Sequence, residues 1–306
     1  MAQLQTFTAR LLRSNPLSEF TKHLEFEVLE VPRFGFVPGQ WLSVKAHDGD
    51  GSEITRAYSI ASPPSSNAHF AFCLNRVQDG FMSNYLCDLE EGSTIAFQGP
   101  FGNFILRSPL RDSIFIATGT GIAPFRSMLH ALLDTGSSRI GSSGDRVIGP
   151  SEIASSDHRV AQPFVIAPKD QSAPTSTEMA QAQNEAITSS EVQITRSSDH
   201  PMARCIEFWL LFGARYERDI YYRDEFELLA AEHPNFHFLP TLSRGSAEWN
   251  GLRGYVQEHV KAIIGDRKDK DMHAYICGLD KMVRANRELL KSLGWERTSI
   301  RAEKYD

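Results

Sequence analysis

The sequence predicts a small antiparallel β-barrel followed by an α/β domain with a doubly wound parallel sheet. Three observations carry this prediction. Six short apolar or alternating runs, punctuated by Pro-Gly, Asp-Gly and Pro-Pro, fill the stretch from Leu4 to Leu106. After Arg107 strand-like and helix-like runs alternate, the grammar of a parallel sheet with helices on both faces. At the junction, Phe115-Ile-Ala-Thr-Gly-Thr-Gly-Ile-Ala-Pro-Phe-Arg-Ser-Met-Leu129 passes from an apolar run through a glycine turn into an apolar helical pattern.

In the first half the expected strands are Gln5 to Leu12, His23 to Val31, Gln40 to Ala46, Arg56 to Ala61, His69 to Val77 and Thr94 to Gln98. One helix is expected there, Ser83 to Leu89, with Ser83 as its cap. In the second half Ser113 to Ala117 leads to a helix over Pro124 to Asp134, and Glu207 to Gly213 to one over Arg223 to Glu232. Phe236 to Leu242 leads to a helix over Val256 to Ile264, and His273 to Cys277 to one over Asp280 to Leu293. Domain bounds of 1–108 and 109–306 follow. The second domain is interrupted at 136–203 by a Ser-, Ala-, Gln- and Thr-rich insertion, expected to be mostly disordered, whose one apolar patch is Pro163 to Pro168.

Composition narrows the function classes. A chain of 306 residues with 41% hydrophobic and 23% charged residues is a soluble globular protein of two cores. Its net charge of -6 argues against nucleic acid as a general partner. No apolar run is long enough to cross a bilayer, and Met1 to Phe20 lacks the features of a signal peptide, so a cytoplasmic location is expected. Cys73, Cys87, Cys205 and Cys277 are too scattered for a zinc or iron–sulfur site, so no metal is expected.

Chemistry is written in the turns. Thr118, Gly119, Thr120 and Gly121 open the helix after the first parallel strand, where free N–H groups and the helix dipole favour an anion. Pro124 suits a first helical turn. Arg56, Tyr58 and Ser59 stand together at the end of a barrel strand. There Arg56 and Tyr58 share one face, a guanidinium for a diphosphate and a ring for a planar ligand. Asp79 to Leu86 is a second glycine turn opening a helix, and Gly99 to Phe104 closes the barrel with turn residues and aromatics.

Together these residues resemble the ferredoxin-NADP reductase family of bacterial type, in which an FAD-binding barrel precedes a pyridine-nucleotide domain. The motifs in register are Arg56-x-Tyr58-Ser59, Gly80-x-x-Ser83, Gly99-Pro-x-Gly102, Gly119-Thr-Gly-Ile-Ala-Pro124, Gly213-x-Arg215, Ser243-Arg244 and Cys277-Gly278. The resemblance implies that Arg56 binds the FAD pyrophosphate, Tyr58 packs on the ring and Ser59 hydrogen-bonds near its reactive nitrogen. It implies a second pyrophosphate contact through Gly80, Met82 and Ser83, with Asn75 to Val77 facing the flavin edge. Thr118 to Pro124 would receive the nicotinamide nucleotide, with Cys277 beside the nicotinamide. Glu303 would relay a proton and Tyr305 shield the ring, although here Asp306 follows that aromatic.

NADPH is the expected donor, with NADH possible. Arg215 follows one strand, Arg244, after Ser243 of the same motif, follows the next, and Arg253 lies in Gly251-Leu-Arg-Gly254; the three arginines would converge on the 2'-phosphate, whereas Glu217 and Asp219 count against that reading. The implied reaction passes electrons between the nucleotide and a separate carrier, ferredoxin, flavodoxin or another redox protein. An NADH-dependent reductase component of an oxygenase system shares nearly every motif. A non-catalytic flavin module would lack the intact Gly119 to Pro124 loop. Oligomeric state has no signature in the sequence.

Overall fold

The computed structural model describes residues 5–137 and 205–305. The expected insertion, from residue 138 onward and with its Pro163 to Pro168 patch, lies outside them.

Alternation builds the first sheet. Strands β1 (Thr6–Pro16), β2 (Thr21–Val28), β3 (Trp41–His47), β4 (Glu53–Ser59), β5 (His69–Asn75) and β6 (Thr94–Phe101) pair antiparallel in the order β4-β3-β6-β1-β2-β5. Every second residue of β3 is buried, and Leu11, Leu24, Phe26, Val44, Phe72 and Phe97 meet in one apolar core. The two edge strands are joined by one bridge, Ile60 to Phe72, and by the Ala61 N–H donating to the Ala71 carbonyl at 2.8 Å.

Among the described residues of this half the helix is α1 (Phe81–Cys87), which begins two residues earlier than expected. Gly80 is its N-cap, not Ser83, whose buried hydroxyl sits one turn in. That hydroxyl donates to the Gly80 carbonyl and accepts the Val77 N–H, both at 3.1 Å, so it braces the entering turn.

Apolar runs build the second sheet. Strands β7 (Asp112–Thr118), β8 (Phe208–Ala214), β9 (Phe236–Leu242), β10 (Leu252–Arg253), β11 (Met272–Leu279) and β12 (Ile300–Tyr305) are parallel, in the order β10-β9-β8-β7-β11-β12. Among the described residues four helices cover them: α2 (Ile122–Ser137), α3 (Arg223–Glu232), α4 (Val256–Ile264) and α5 (Asp280–Ser292). Phe115, Leu210 and Tyr275 pack with Phe125 of α2 and Phe226 of α3, while Ile114, Leu211 and Ile276 pack with Val260 of α4 and Val283 of α5. Helices on both faces and strands buried on both sides are what the continuous apolar runs dictate. From β7 the chain winds outward through β8 and β9, then returns to lay β11 on the other side, so the order reverses between β7 and β11. A crevice at the carboxyl ends of strands forms at such a reversal.

The two sheets lie in one compact unit, fastened by a polar seam. Arg126 of α2 donates from Nε and Nη2 to the Glu225 carboxylate of α3, and from Nη1 to the Ala61 carbonyl at 3.0 Å. His130 bonds the same carboxylate and Asp134. Burial opposes the charge on His130, yet its bonds to Asp134 and Glu225 raise its pKa to about 9. Tyr222 caps α3 in the left-handed conformation, φ 56°, unfavourable for a bulky residue. The Arg126 guanidinium 4.8 Å over its ring and His23 Nδ1, 2.9 Å from its hydroxyl, hold it there.

Candidate functional site

A groove of about 570 Å³ opens between the end of β4, the turn before α1 and the end of β12. Its volume falls within the range of small-molecule and cofactor sites. Arg56, Tyr58 and Ser59 of β4 form one wall. Arg56 is exposed and donates to its neighbour's carbonyl, Thr55, at 2.8 Å, leaving the rest of the guanidinium without a protein partner among the described residues. Burial pushes the Tyr58 hydroxyl up to about 12, so the ring, resting on Phe72 at 5.5 Å, stays neutral.

Asn75, Val77, Gly80, Phe81, Met82 and Ser83 form the facing wall. Asn84 Nδ2 donates to the carbonyls of Val77 and Gly80, and Ser83 braces the same turn. Side chains thus fix the turn, while the first N–H groups of α1 have no acceptor within the helix. Backbone, rather than the Ser83 hydroxyl, is what this wall offers an anion.

The third wall comes from β12, paired in register with β11 so that Cys277 lies opposite Glu303 and Leu279 opposite Tyr305. Tyr305 reaches across to Ser59, its hydroxyl 2.6 Å from Ser59 Oγ. Burial raises the Glu303 carboxyl to about 7, and its Oε2 has no hydrogen-bond partner. Burial, reinforced by the Glu303 charge, holds the Cys277 thiol well above its ordinary value, so it stays protonated.

At the strand-order reversal the glycine turn meets this wall. Residues Gly119–Gly121 form one 3-10 turn between β7 and α2, with Pro124 in the first turn of that helix as expected. A Cβ on Gly121 would lie 2.2 Å from the Cys277 carbonyl oxygen, and one on Gly278, at φ 144°, would lie 2.5 Å from Thr118 Oγ1. Only glycines let the two strand ends come this close. Thr120 lines the groove, and the buried Thr118 hydroxyl oxygen has no partner. Two orphaned polar atoms, Thr118 Oγ1 and Glu303 Oε2, at a glycine-lined crevice beside an aromatic groove fit a flavin and a nicotinamide nucleotide meeting there.

Further out, Arg215 follows β8 and Ser243 and Arg244 follow β9. Their loops are joined by the Arg244 N–H donating to the Arg215 carbonyl at 2.9 Å. The Arg244 guanidinium near the Tyr216 hydroxyl lowers the pKa of that tyrosine, and the Arg218 guanidinium lies 4.9 Å over the same ring. Arg253 does not join them. Its guanidinium donates to the carbonyls of Gly245, Ser246, Ala247 and Trp249 and so holds their loop. The spacing Gly-x-Arg-Gly carries no sign of that tertiary use. Tyr216, exposed Tyr255 and, in the groove, Trp41 and Lys304 were not singled out, because lone aromatics and a lone lysine have no pattern to find.

Comparison with known proteins agrees with this geometry. Residues 8–105 match the family described as oxidoreductase FAD-binding domain, and residues 178–288 the oxidoreductase NAD-binding domain. The chain is 35% identical over 313 residues to ferredoxin–NADP reductase B of Sorangium cellulosum, covering all of both chains. It is 23% identical to the toluate 1,2-dioxygenase electron transfer component of Pseudomonas putida, over 98% of this chain and 67% of that one. The solved ferredoxin NADP+ reductase of Neisseria gonorrhoeae, with bound FAD and NADP, shares the fold at a TM-score of 0.66 and 18% identity, covering 99% of each chain. The chain therefore belongs to the ferredoxin-NADP reductase family, oxidoreductases that bind FAD and pass electrons between NAD(P)H and a separate redox partner.

Proposed function

We propose that this reductase uses NADPH and serves a one-electron carrier of the ferredoxin or flavodoxin kind. The observation that supports the reading is the Tyr305–Ser59 contact near the glycine turn at the strand-order reversal, where a flavin groove would lie against a nucleotide crevice. When bound, FAD supplies the chemistry that accepts a hydride and releases electrons one at a time.

The chain's own residues bind and orient. Arg56 and the first N–H groups of α1 neutralise the pyrophosphate from opposite walls. Tyr58 supplies a neutral face for the ring, and Ser59, fixed by Tyr305, a hydroxyl beside it. Thr118 to Gly121 carries the nucleotide diphosphate, and Cys277, uncharged and buried, packs at the nicotinamide. Glu303, with a pKa of about 7, is poised to hold or release a proton near neutral pH. Arg215 and Arg244 supply the charge that a 2'-phosphate requires. The six-stranded antiparallel sheet is taken as a barrel closing at the Ile60–Phe72 bridge, with the domain boundary at 108/109.

Anaerobic mixing of the FAD-loaded protein with each nucleotide tests the reading: NADPH should bleach the flavin absorbance faster, per unit concentration, than NADH. A preference for NADH would favour the alternative, a reductase component for an oxygenase, to which the likeness to the toluate dioxygenase component points. Bleaching by neither nucleotide would sink both.

A further inference from the structure

Three side chains outside the motifs form a strut across the seam between the sheets. Thr21 opens β2 and Asn75 closes β5, as directly opposed residues of the two strands. Thr21 is fully buried, so its hydroxyl needs partners inside the protein. It donates to Asn75 Oδ1 at 3.0 Å and lies 2.8 Å from the hydroxyl of buried Tyr221, in the segment joining β8 to α3. A hydroxyl has one proton to give, so with Thr21 committed to Asn75 the Tyr221 hydroxyl is the donor in the second bond. The chain of donors runs one way, from the nucleotide-binding sheet into the wall of the flavin groove.

Its end point is Asn75, which lines that groove. A free carboxamide at a strand end turns over between two nearly equivalent orientations. Here Oδ1 is used by Thr21, while Nδ2 has no protein partner among the described residues. We propose that the Tyr221–Thr21–Asn75 strut positions the Asn75 carboxamide so that its NH2 group donates to an electron-rich oxygen or nitrogen of the flavin ring. This inference rests on the flavin occupying the groove, as assigned above. A donor at the ring favours the reduced flavin, which carries more negative charge than the oxidised one, and so raises the potential. Because Tyr221 belongs to the same segment as Tyr216, five residues earlier, the strut ties the nucleotide-binding half to the electronics of the flavin. The bland reading is a strand-end asparagine with its amide in water, Thr21 merely satisfied. That reading predicts no effect on the potential.

The test measures the two-electron midpoint potential and the visible spectrum of bound FAD in the intact protein and in Asn75→Leu, Thr21→Val, Thr21→Ser and Tyr221→Phe. Asn75→Leu should lower the potential by about 30 mV, a tenfold change in the ratio of reduced to oxidised flavin. Thr21→Val and Tyr221→Phe should move it the same way by a smaller amount, and Thr21→Ser, which keeps the hydroxyl, should restore the original value even if it melts earlier. Thr21→Val added to Asn75→Leu should shift the potential no further. An unchanged potential in Asn75→Leu would remove the contact to the ring. A shift in Asn75→Leu with none in Thr21→Val and Tyr221→Phe would remove the strut. Unaltered protein that takes up no FAD would instead overturn the groove assignment, and the inference with it.

Discussion

Ser59 and Tyr305 stand 246 positions apart in sequence, yet their hydroxyls meet at 2.6 Å, joining the end of β4 to the end of β12. If this contact docks the last strand on the flavin wall, the two residues are energetically coupled. A cycle of Ser59→Ala, Tyr305→Phe and the double variant, read by thermal unfolding, should give a coupling of about 0.5 to 1.5 kcal/mol. Additive losses would show that the tail is held by its backbone ladder alone.

Glu303 should make the protein less stable as pH rises. Its folded pKa of about 7 exceeds the ordinary value of 4.5 because burial disfavours the charge. Between those values the folded state holds more protons than the unfolded one, so stability falls with rising pH and levels off above about 7. Glu303→Gln should therefore match the unaltered protein near pH 4.5 and melt several degrees higher at pH 8, for a gain of roughly 2 to 3 kcal/mol. Equal melting at both pH values would mean that the carboxylate is solvated.

His130 carries a dependence of the same sign in a higher pH window. Its folded pKa of about 9 lies above the ordinary 6.5, so its contribution is complete below 6.5 and is lost as pH rises through about 9. Asp134 and Glu225 favour its charge and Arg126 opposes it. Melting between pH 7 and 10 should fall more steeply in the unaltered protein than in His130→Gln. Glu225→Gln, which leaves Arg126 without its carboxylate, should cost more, toward the lower end of about 3 to 5 kcal/mol because both groups keep some exposure.

The arginines should separate into two kinds. Arg244→Ala and Arg215→Ala should each raise the KM for NADPH about tenfold and leave NADH nearly unchanged, since their exposure limits the contact to the weaker end of charged hydrogen bonds. Arg253→Ala should lower the melting temperature and affect both nucleotides alike, because it frees the 245–249 loop. Discrimination lost in Arg253→Ala but kept in Arg244→Ala would reverse the assignment.

Much of the fold was legible because burial on both faces writes long apolar runs. Ile114 to Ala117, Leu210 to Phe212 and His273 to Cys277 announced parallel strands, and the glycine turn after the first announced the crevice. Three features escaped for physical reasons. Strand β12, Ile-Arg-Ala-Glu-Lys-Tyr, reads as surface because an edge strand buries little. Ser83 looked like a helix cap, but Gly80 enters the turn and Ser83 braces it from inside. Arg253 sat at the expected spacing, yet the fate of a guanidinium is decided by which carbonyls the tertiary loop presents, and no local pattern encodes that.

The polarity that hid β12 has a use of its own. The parallel sheet ends on one side at β10, two residues long, and on the other at β12, which carries the charged residues Arg301, Glu303 and Lys304. An open edge is a template for strand addition by another copy, and short length or charge is what defeats it. The strand that delivers Glu303 and Tyr305 to the groove is therefore also the sheet's guard against polymerisation. Exchanging Arg301 and Lys304 for β-branched apolar residues would leave the groove lined by the same carboxyl and phenol while inviting fibrillar assembly along that edge.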